Sequence, residues 1–312
     1  MLFKKILVIG IIIIFLGISI NPIQVSSTNI INNNEKPGEI FFGLKSHIGI
    51  TWDENESLEP LMPNEGGRAI QLNISYWVTW CIFGQITNYL LKNGVVDIYI
   101  EIIDMPEFCK ASFSTNVTRL AFPDKQYLKE SNINHIFVTI DEKAPAFKRF
   151  NITIQATMDR QVKGPLRFIT FLSPAKITVN LTLIPDYWGL VSFKLPEGNI
   201  IETPPLIEKQ LPIIAYNLGN GITYIKSEIF LIPPDFIIYL DPENLILDVG
   251  ENKTMYLKIL APSNFSGIET IYTKFTPHFL GRPDLQGPIE IIYFNFHYFP
   301  YFKHPLTLDQ LN

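Results

Sequence analysis

The side chains of this sequence that could do covalent chemistry begin with its two cysteines, Cys81 and Cys109. Outside the cytoplasm such a pair can oxidise, and in the chain-entropy model the disulfide would stabilise the fold by roughly 3 kcal/mol. Their spacing is too short for the inter-sheet bridge of antibody domains. Two buried free thiols are the alternative. We expect the disulfide, as a local staple in the first half of the chain.

Asparagine is the second candidate for covalent chemistry, because Asn-X-Ser/Thr tripeptides accept N-linked glycans in exported proteins. The sequence holds seven of them, at Asn55, Asn73, Asn116, Asn151, Asn180, Asn252 and Asn264. In three alternating segments the asparagine and its Ser or Thr lie on the polar face. If the glycans are attached, those faces are in water and are not packing surfaces.

Other catalytic and metal-binding patterns are missing from the sequence. The five histidines are dispersed, and none of them lies in an H-E-x-x-H motif. The sequence also has no C-x-x-C pair. The acidic run at 53–59 lacks the central glycine and terminal glutamate of an EF-hand, which favours a solvated loop. No nucleophile elbow or phosphate-binding glycine motif occurs. We therefore expect no metal, no cofactor and no enzymatic activity, and a hydrolase with an unrecognised site is the minor alternative.

Aromatic residues are concentrated near the C-terminus, where seven of the ten residues at 293–302 are Phe or Tyr. In a final strand, alternate rings would fill the core. The remaining rings, Tyr298, Phe299 and Tyr301, are candidates for binding a sugar or a partner protein, because dense exposed aromatics mark contact surfaces. Secondary candidates are Tyr76, Trp77, Trp80, Tyr187 and Trp188.

The N-terminus has the layout of a secretory signal peptide. Lys4 and Lys5 precede the uncharged segment 6–20, and Val25 and Ser27 suit a cleavage site after residue 27. As a helix, segment 6–20 would span about 22 Å, which is short for the hydrocarbon core of a bilayer. A retained anchor is the alternative, and it would be the chain's only membrane contact. Either outcome places the rest of the chain outside the cell or at its surface.

Composition fits an acidic, globular protein. The 312 residues carry a net charge of −5 and are 47% hydrophobic, which is too apolar for a disordered chain. Nucleic-acid binders usually show a basic face or an elevated pI, and nothing of that kind is visible here.

The chain predicts an all-β fold, because short runs of alternating polar and apolar residues recur between Pro and Gly turns. In the longest, at 69–81, residues Ile70, Leu72 and Ile74 begin one apolar face. The segment 82–92 could form a helix. The Asn93-Gly94 pair that follows is a strong hairpin signal, so strand–turn–strand is favoured.

The second half of the chain resembles the first. Asn93-Gly94 has a counterpart in Asn220-Gly221, and segment 101–108 has one in 228–236. Ala144-Pro145 likewise corresponds to Ala261-Pro262. We therefore expect two tandem immunoglobulin-like β-sandwich domains of one design. The predicted division of the chain is 1–27 signal peptide or anchor, 28–38 linker, 39–175 first sandwich, 176–304 second sandwich and 305–312 tail.

The turn residues suggest a family. Segment 217–221 (NLGNG) opens an alternating strand, and Pro242, Leu245, Leu247 and Gly250-Glu251 follow before another strand. This resembles the cell-adhesion-related, immunoglobulin-like repeat domains of archaeal and bacterial secreted surface proteins. The resemblance covers most of residues 40–300 and implies architecture and a surface location, with no site.

Together these observations predict an exported, non-enzymatic protein that works by contact, as an adhesin, a scaffold or an ectodomain subunit. Its partners would be other surface proteins or further copies of itself. A carbohydrate-binding module that holds cell-wall glycan on exposed rings is the alternative.

Overall fold

The computed structural model describes residues 44–80, 84–158, 162–163 and 172–299. These residues form two β-sandwiches, so the predicted all-β, immunoglobulin-like fold is confirmed. The predicted signal peptide or anchor, the linker and the tail lie outside the described residues. No helix among the described residues is long and apolar enough to cross a membrane.

In its described residues, the first sandwich contains eight strands and two short helices. The helices are α1 (Glu54–Leu58) and α2 (Gly84–Leu91). The strands are β1 (Leu44–Thr51), β2 (Arg68–Trp80), β3 (Val95–Asp104), β4 (Cys109–Phe113), β5 (Val117–Ala121), β6 (Glu130–Ile140), β7 (Phe150–Met158) and β8 (Ala175–Leu183). One sheet has the order β1-β2-β6-β4, and the other has the order β5-β3-β7-β8. All of these neighbours are antiparallel.

The second sandwich begins with β9. Its strands are β9 (Val191–Lys194), β10 (Ile200–Glu202), β11 (Lys209–Asn217), β12 (Thr223–Phe230), β13 (Ile237–Asp241), β14 (Asn244–Leu247), β15 (Asn252–Leu260), β16 (Gly267–Phe279), β17 (Arg282–Gln286) and β18 (Glu290–Tyr298). One sheet has the order β13-β15-β11-β9. The other has the order β10-β18-β16-β12-β14, with β17 paired to β16.

The two sandwiches share one strand order, which confirms the predicted duplication at the level of topology. The sheet β1-β2-β6-β4 corresponds to β9-β11-β15-β13, and β5-β3-β7-β8 corresponds to β14-β12-β16-β18. The matched sequence segments also take equivalent places. Ala144-Pro145 lies between β6 and β7, and Ala261-Pro262 lies between β15 and β16.

Each sandwich has its own core, because alternate side chains of its strands face the opposite sheet. In β2 the buried residues run from Ile70 through Leu72, Ile74 and Tyr76 to Val78, as the alternation predicts. The core of the second sandwich includes Phe275, Phe294 and Phe296, each fully buried. Two of these three rings come from the aromatic C-terminal segment.

The boundary between the sandwiches lies after Leu183, not between residues 175 and 176 as predicted. Residue 175 begins β8, and β8 pairs with β7 from Ala175 opposite Met158 to Leu183 opposite Phe150. The alternating segment at 177–183 therefore completes the first sandwich. The alternation correctly predicted this strand, but the predicted domain division placed it in the second sandwich. Alternation carries no information about which strand pairs with it.

The expected strand–turn–strand at 82–92 is wrong, since α2 occupies Gly84–Leu91. Neither Asn93-Gly94 nor Asn220-Gly221 has the positive φ of a two-residue hairpin turn. Glycine is needed at both positions because neighbouring atoms leave no room for a Cβ atom. A Cβ on Gly94 would overlap Val162, and one on Gly221 would lie 2.8 Å from the ring of Phe279. The acidic run at 53–59 is also a short helix, α1, with Asp53 as its N-cap.

Candidate functional site

The seven sequon asparagines are all exposed. Asn73 lies on β2, Asn151 and Asn180 lie on the paired strands β7 and β8, and Asn252 begins β15. Thr182 donates a hydrogen bond to Asn151 at 2.8 Å across that pair. Three of the four sheets therefore carry a sequon in a strand. Among the described strands, those of the sheet β10-β18-β16-β12-β14 carry none.

The cysteine prediction stays open. Cys109 is 2% exposed and forms no disulfide with a described residue, and Cys81 lies outside the described residues. Burial raises the pKa of the Cys109 thiol to about 11, and the negative charge of Asp141 acts in the same direction. A thiol with so high a pKa is protonated at neutral pH and is a poor nucleophile. The expected disulfide remains a prediction.

The C-terminal aromatics divide between the core and the surface. Phe294 and Phe296 are buried, and Tyr298 packs partly against the same core. Phe299 is 57% exposed, at the end of the described residues. Tyr301 lies outside them. Of the three predicted binding rings, only Phe299 is therefore observed to be freely accessible.

A row of rings that the sequence did not single out crosses the outer face of the sheet that has no sequon. Strand register places Phe230 of β12 beside Tyr272 of β16, and Tyr272 beside Tyr293 of β18. The rings of Phe230 and Tyr272 are parallel within 6°, with centroids 6.1 Å apart. Tyr293 is 52% exposed. The sequence signals were the aromatic density of segment 293–302 and the alternation of β18, which places Tyr293 opposite to the buried Phe294.

Aliphatic side chains extend this surface. Leu231 and Ile232 follow β12 directly and are 67% and 45% exposed, and Ile291 on β18 is 57% exposed. We call these three residues together with Phe230, Tyr272 and Tyr293 the aromatic row. Several apolar side chains with high exposure in one region are typical of contact sites, because single exposed residues are normal and groups of them are not.

Charged groups border the aromatic row. Glu228 receives hydrogen bonds from Lys226 at 2.7 Å and from Lys274 at 3.4 Å. These bonds, with the attraction of both lysines, hold the pKa of the Glu228 carboxyl below its ordinary value. All three side chains are partly exposed, so they can be desolvated or paired again by a partner.

Trp77, Tyr76 and Tyr187, three of the secondary candidates, serve the structure of the protein. The Trp77 ring stacks on His47 with centroids 5.3 Å apart, and Lys129 lies 4.9 Å from its centre. A Cβ on Gly49 would approach the same indole at 3.3 Å, so Trp77 covers a glycine of the neighbouring strand. Tyr76 and Tyr187 are both buried.

The joint between the sandwiches is a buried polar network centred on Asn220. Its amide nitrogen Nδ2 donates to the carbonyl oxygens of Ala144 at 2.9 Å and Asp186 at 2.8 Å. Its Oδ1 accepts from the backbone N–H of Trp188 at 2.7 Å, and its own carbonyl accepts from Ala146 N at 3.0 Å. One side chain therefore links a loop of the first sandwich, the connecting segment and the second sandwich.

Aromatic rings and main-chain bonds close the joint around this network. Phe147 and Tyr187 both pack edge-on against Phe279, with centroids 5.1 and 5.2 Å apart, and the Tyr187 hydroxyl lies 3.0 Å from Thr223 Oγ1. Leu61 exchanges backbone hydrogen bonds with residues 184 and 186. These contacts involve all three segments and fix one sandwich against the other.

A second charged cluster lies in the first sandwich. Asp97 is 8% exposed, pairs with Lys163 and accepts a hydrogen bond from Arg119 Nε at 3.1 Å. The hydrogen bond from Lys163 is the main reason why the pKa of Asp97 is lowered, and Arg119 contributes in the same direction. The cluster ties β5 and β3 to residue 163 and has the character of a structural ion pair.

No group of three or more His, Cys, Asp or Glu residues in the described part of the chain is placed to hold a metal ion. The acidic helix α1 uses Asp53 to accept the backbone N–H of Asn55 at 2.9 Å. Asp53 therefore serves as the N-cap of the helix.

Comparison with known proteins gives distant structural likenesses. No protein-family model matches the chain, and no curated protein matches it. A solved D00-D0 domain pair of intimin is 9% identical, covers 78% of this chain and 98% of its own, and has a TM-score of 0.31. The E. coli chaperone DraB is 10% identical with a TM-score of 0.26, covering 81% of this chain and 100% of its own. A PapD-like domain of human CEP192 is 12% identical with a TM-score of 0.27, covering 35% and 84%. At these values no function transfers to this chain, and membership of the adhesion-related family remains a prediction.

Proposed function

We propose that this chain is an exported, non-enzymatic contact protein whose second sandwich binds a partner protein through the aromatic row. The observation that carries the proposal is the row formed by the exposed rings of Phe230 and Tyr293 and the half-buried ring of Tyr272, with exposed aliphatic side chains nearby, on the sheet that has no sequon in its strands. Tyrosine is enriched at the centres of protein interfaces, where a ring buries a large area and its hydroxyl stays solvated or bonded.

The location of the aromatic row supports this role. Thr223 and Phe279 are paired and lie at the joint, and Phe230 is at the opposite end of β12. Seven residues of extended strand correspond to about 23 Å. The row is therefore displaced along the sheet from the connection to the first sandwich, so a partner can approach it without meeting that domain.

The sequons agree with an interface at this place. If glycans are attached at Asn73, Asn151 and Asn180, they cover the outer faces of both sheets of the first sandwich. Asn252 would carry one on the other sheet of the second sandwich. The strands of the face that bears the aromatic row carry no sequon, so a protein surface can lie flat against them.

The joint contributes rigidity to this function. A rigid connection between the domains favours partner binding. If the domains moved freely, binding would have to restrict that motion and would lose conformational entropy. Asn220 and the rings around it supply that restraint.

The proposal is tested by photo-cross-linking on intact cells that express the full chain. A photoreactive residue replaces Tyr293 in one strain and Tyr239 in a control strain, since Tyr239 is a comparably exposed ring (43%) on the other sheet. We expect one recurrent protein adduct from position 293 and none from position 239.

Substitution completes the test. The pair Phe230→Ser and Tyr293→Ser should abolish the adduct without changing the melting temperature, and Ile237→Ser with Tyr239→Ser should leave it intact. Equal adducts from both positions, or an adduct that survives the first pair, would refute the interface. Retention on polysaccharide resin that the first pair abolishes, with no protein adduct, would favour the carbohydrate alternative.

A further inference from the structure

Helix α2 has an inverted pattern of exposure. Its inward residues are Gly84, Asn88 and Leu91, and Asn88 is 3% exposed. Its outward residues include Ile86 at 64%, Tyr89 at 76% and Leu90 at 48% exposed. A surface helix normally turns its apolar residues to the core, so a helix that buries an asparagine and exposes three large apolar side chains needs a separate explanation.

The neighbouring loop at 122–129 enlarges the same surface. Asn88 donates from Nδ2 to the carbonyl oxygen of Asp124 at 3.0 Å, which fastens the loop to the helix. The loop exposes Tyr127 at 68% and Leu128 at 42%. We call Ile86, Tyr89, Leu90, Tyr127 and Leu128 the apolar end of the first sandwich.

Lysines surround the apolar end. Lys92, Lys125 and Lys129 are all exposed, and the one acidic side chain of the loop, Asp124, lies 3.8 Å from Lys92. Tyrosines with aliphatic neighbours and a border of lysines are the composition found where proteins meet the interface of a bilayer, because the rings and ammonium groups lie at headgroup depth.

The first described residue of the chain lies at this end. The described part of the protein starts at Leu44, which is paired with Trp80, and α2 begins four residues after Trp80. Residues 6–20, the most apolar segment of the sequence, precede Leu44 in the chain. The joint to the second sandwich lies at the other end of the first sandwich, where strands β6 and β8 end.

The sequons are also placed away from the apolar end. Asn73 is paired with Thr51 at the far end of β1, and Asn151 and Asn180 lie in the far halves of β7 and β8. Asn55 follows β1 at that same far end. A glycan on any of these four residues would leave the apolar end uncovered.

We propose that the apolar end docks on a lipid bilayer, with Ile86, Tyr89, Leu90, Tyr127 and Leu128 in the interfacial layer and the lysines against anionic headgroups. The first sandwich then stands on the membrane by this end, and the second sandwich with its aromatic row is held away from it. This site is separate from the partner surface of the second sandwich, and each can be disproved without the other.

Vesicle binding tests the proposal on the full chain. Ile12→Asp and Ile13→Asp are introduced so that the N-terminal segment cannot insert, and binding to phosphatidylcholine vesicles with and without phosphatidylglycerol is measured by flotation. Ile86→Ser, Tyr89→Ser and Leu90→Ser should weaken binding about tenfold or more, since three exposed apolar side chains lose their lipid contact. The control set Ile237→Ser, Tyr239→Ser and Ile246→Ser removes similarly exposed side chains elsewhere and should change nothing.

A charge series separates docking from misfolding. Lys92→Gln with Lys125→Gln leaves every apolar side chain in place, and it should weaken binding to anionic vesicles about fivefold or more at low salt. The difference should vanish at high salt, where the charges are screened. Unchanged binding in the triple serine variant would overturn the proposal. So would a wild-type dimer that the same triple variant converts to monomer, because the apolar end would then be a contact between copies.

Discussion

Replacing Asn220 by alanine should uncouple the two sandwiches. The change removes three side-chain hydrogen bonds, two from Nδ2 and one to Oδ1, at 2.7 to 2.9 Å. Buried hydrogen bonds contribute about 1 kcal/mol each to stability, so the free energy of unfolding of the variant should fall by roughly 3 kcal/mol. The loss is larger if no water reaches the carbonyl groups that lose their donor. That is a large part of the stability of a typical domain, which is about 5–15 kcal/mol.

Urea unfolding followed by tryptophan emission measures this loss. Trp188 lies at the joint, where its backbone N–H donates to Asn220 Oδ1, so the emission of its indole should shift to the red before either core unfolds. Asn264→Ala is the control, because Asn264 is exposed in the loop between β15 and β16. We expect a separate early transition at Trp188 in the Asn220 variant only. A loss under about 0.5 kcal/mol, equal to the control, would show that water or neighbouring groups replace these bonds and that Asn220 does not hold the joint.

The Asn220→Asp substitution should make the stability of the protein depend on pH. A carboxylate at this position faces the carbonyl oxygens of Ala144 and Asp186, which can only accept hydrogen bonds. Its pKa in the folded protein should therefore rise above the unfolded value near 3.9, and the protonated form favours folding. Relative to wild type, the variant should be least stable at neutral pH and should recover on acidification. A constant difference from pH 4 to pH 7 would contradict the geometry.

Three further outcomes follow from the structure. Asp97 has a lowered pKa because Lys163 and Arg119 bond to it, so its stabilising effect is present above the unfolded pKa and is lost as pH falls below about 4. Asp97→Asn should therefore make the free energy of unfolding less dependent on pH in the acidic range. An unchanged pH dependence would argue against the ion pair. Gly287→Ala should destabilise by about 1–3 kcal/mol, because the new Cβ would overlap the backbone of Gly189. A Cβ on Gly66 meets nothing within 4 Å, so Gly66→Ala is the matched control, and equal melting temperatures would refute the close packing. In reduced protein, Cys109 should react with a maleimide only after unfolding, since it is buried and its pKa is about 11. Rapid labelling of Cys109 in the native state, located by peptide mass, would show that it is accessible.

Many strands and their inward faces were visible in the sequence because alternation is local, and the duplication was visible because local patterns recur in the second half. Alternation with period two marks a half-buried strand wherever it occurs, and β2 buries the residues that the alternation selects. The exposure of the sequon asparagines on strands follows from the same rule. The apolar character of residues 6–20 is likewise a property of consecutive residues, and so is the expectation of export that depends on it.

The sequence misled wherever a neighbour in space decided the outcome. Asn93-Gly94 and Asn220-Gly221 carry the residue types of a hairpin turn, yet their glycines are set by packing against Val162 and Phe279. Strand β8 was assigned to the wrong sandwich because alternation does not name a partner. Asn220 is an ordinary turn residue by type, and only its position between two domains makes it the centre of the joint.

The two candidate contact surfaces belong wholly to the tertiary structure. Phe230, Tyr272 and Tyr293 are far apart in sequence and become neighbours through strand register, which pairs one residue on each of three strands. Helix α2 exposes its apolar side because Asn88 is bonded inward to the loop at Asp124. Local patterns determine which residues of an element share a face. Long-range pairing determines what that face meets, and at these two places it meets solvent.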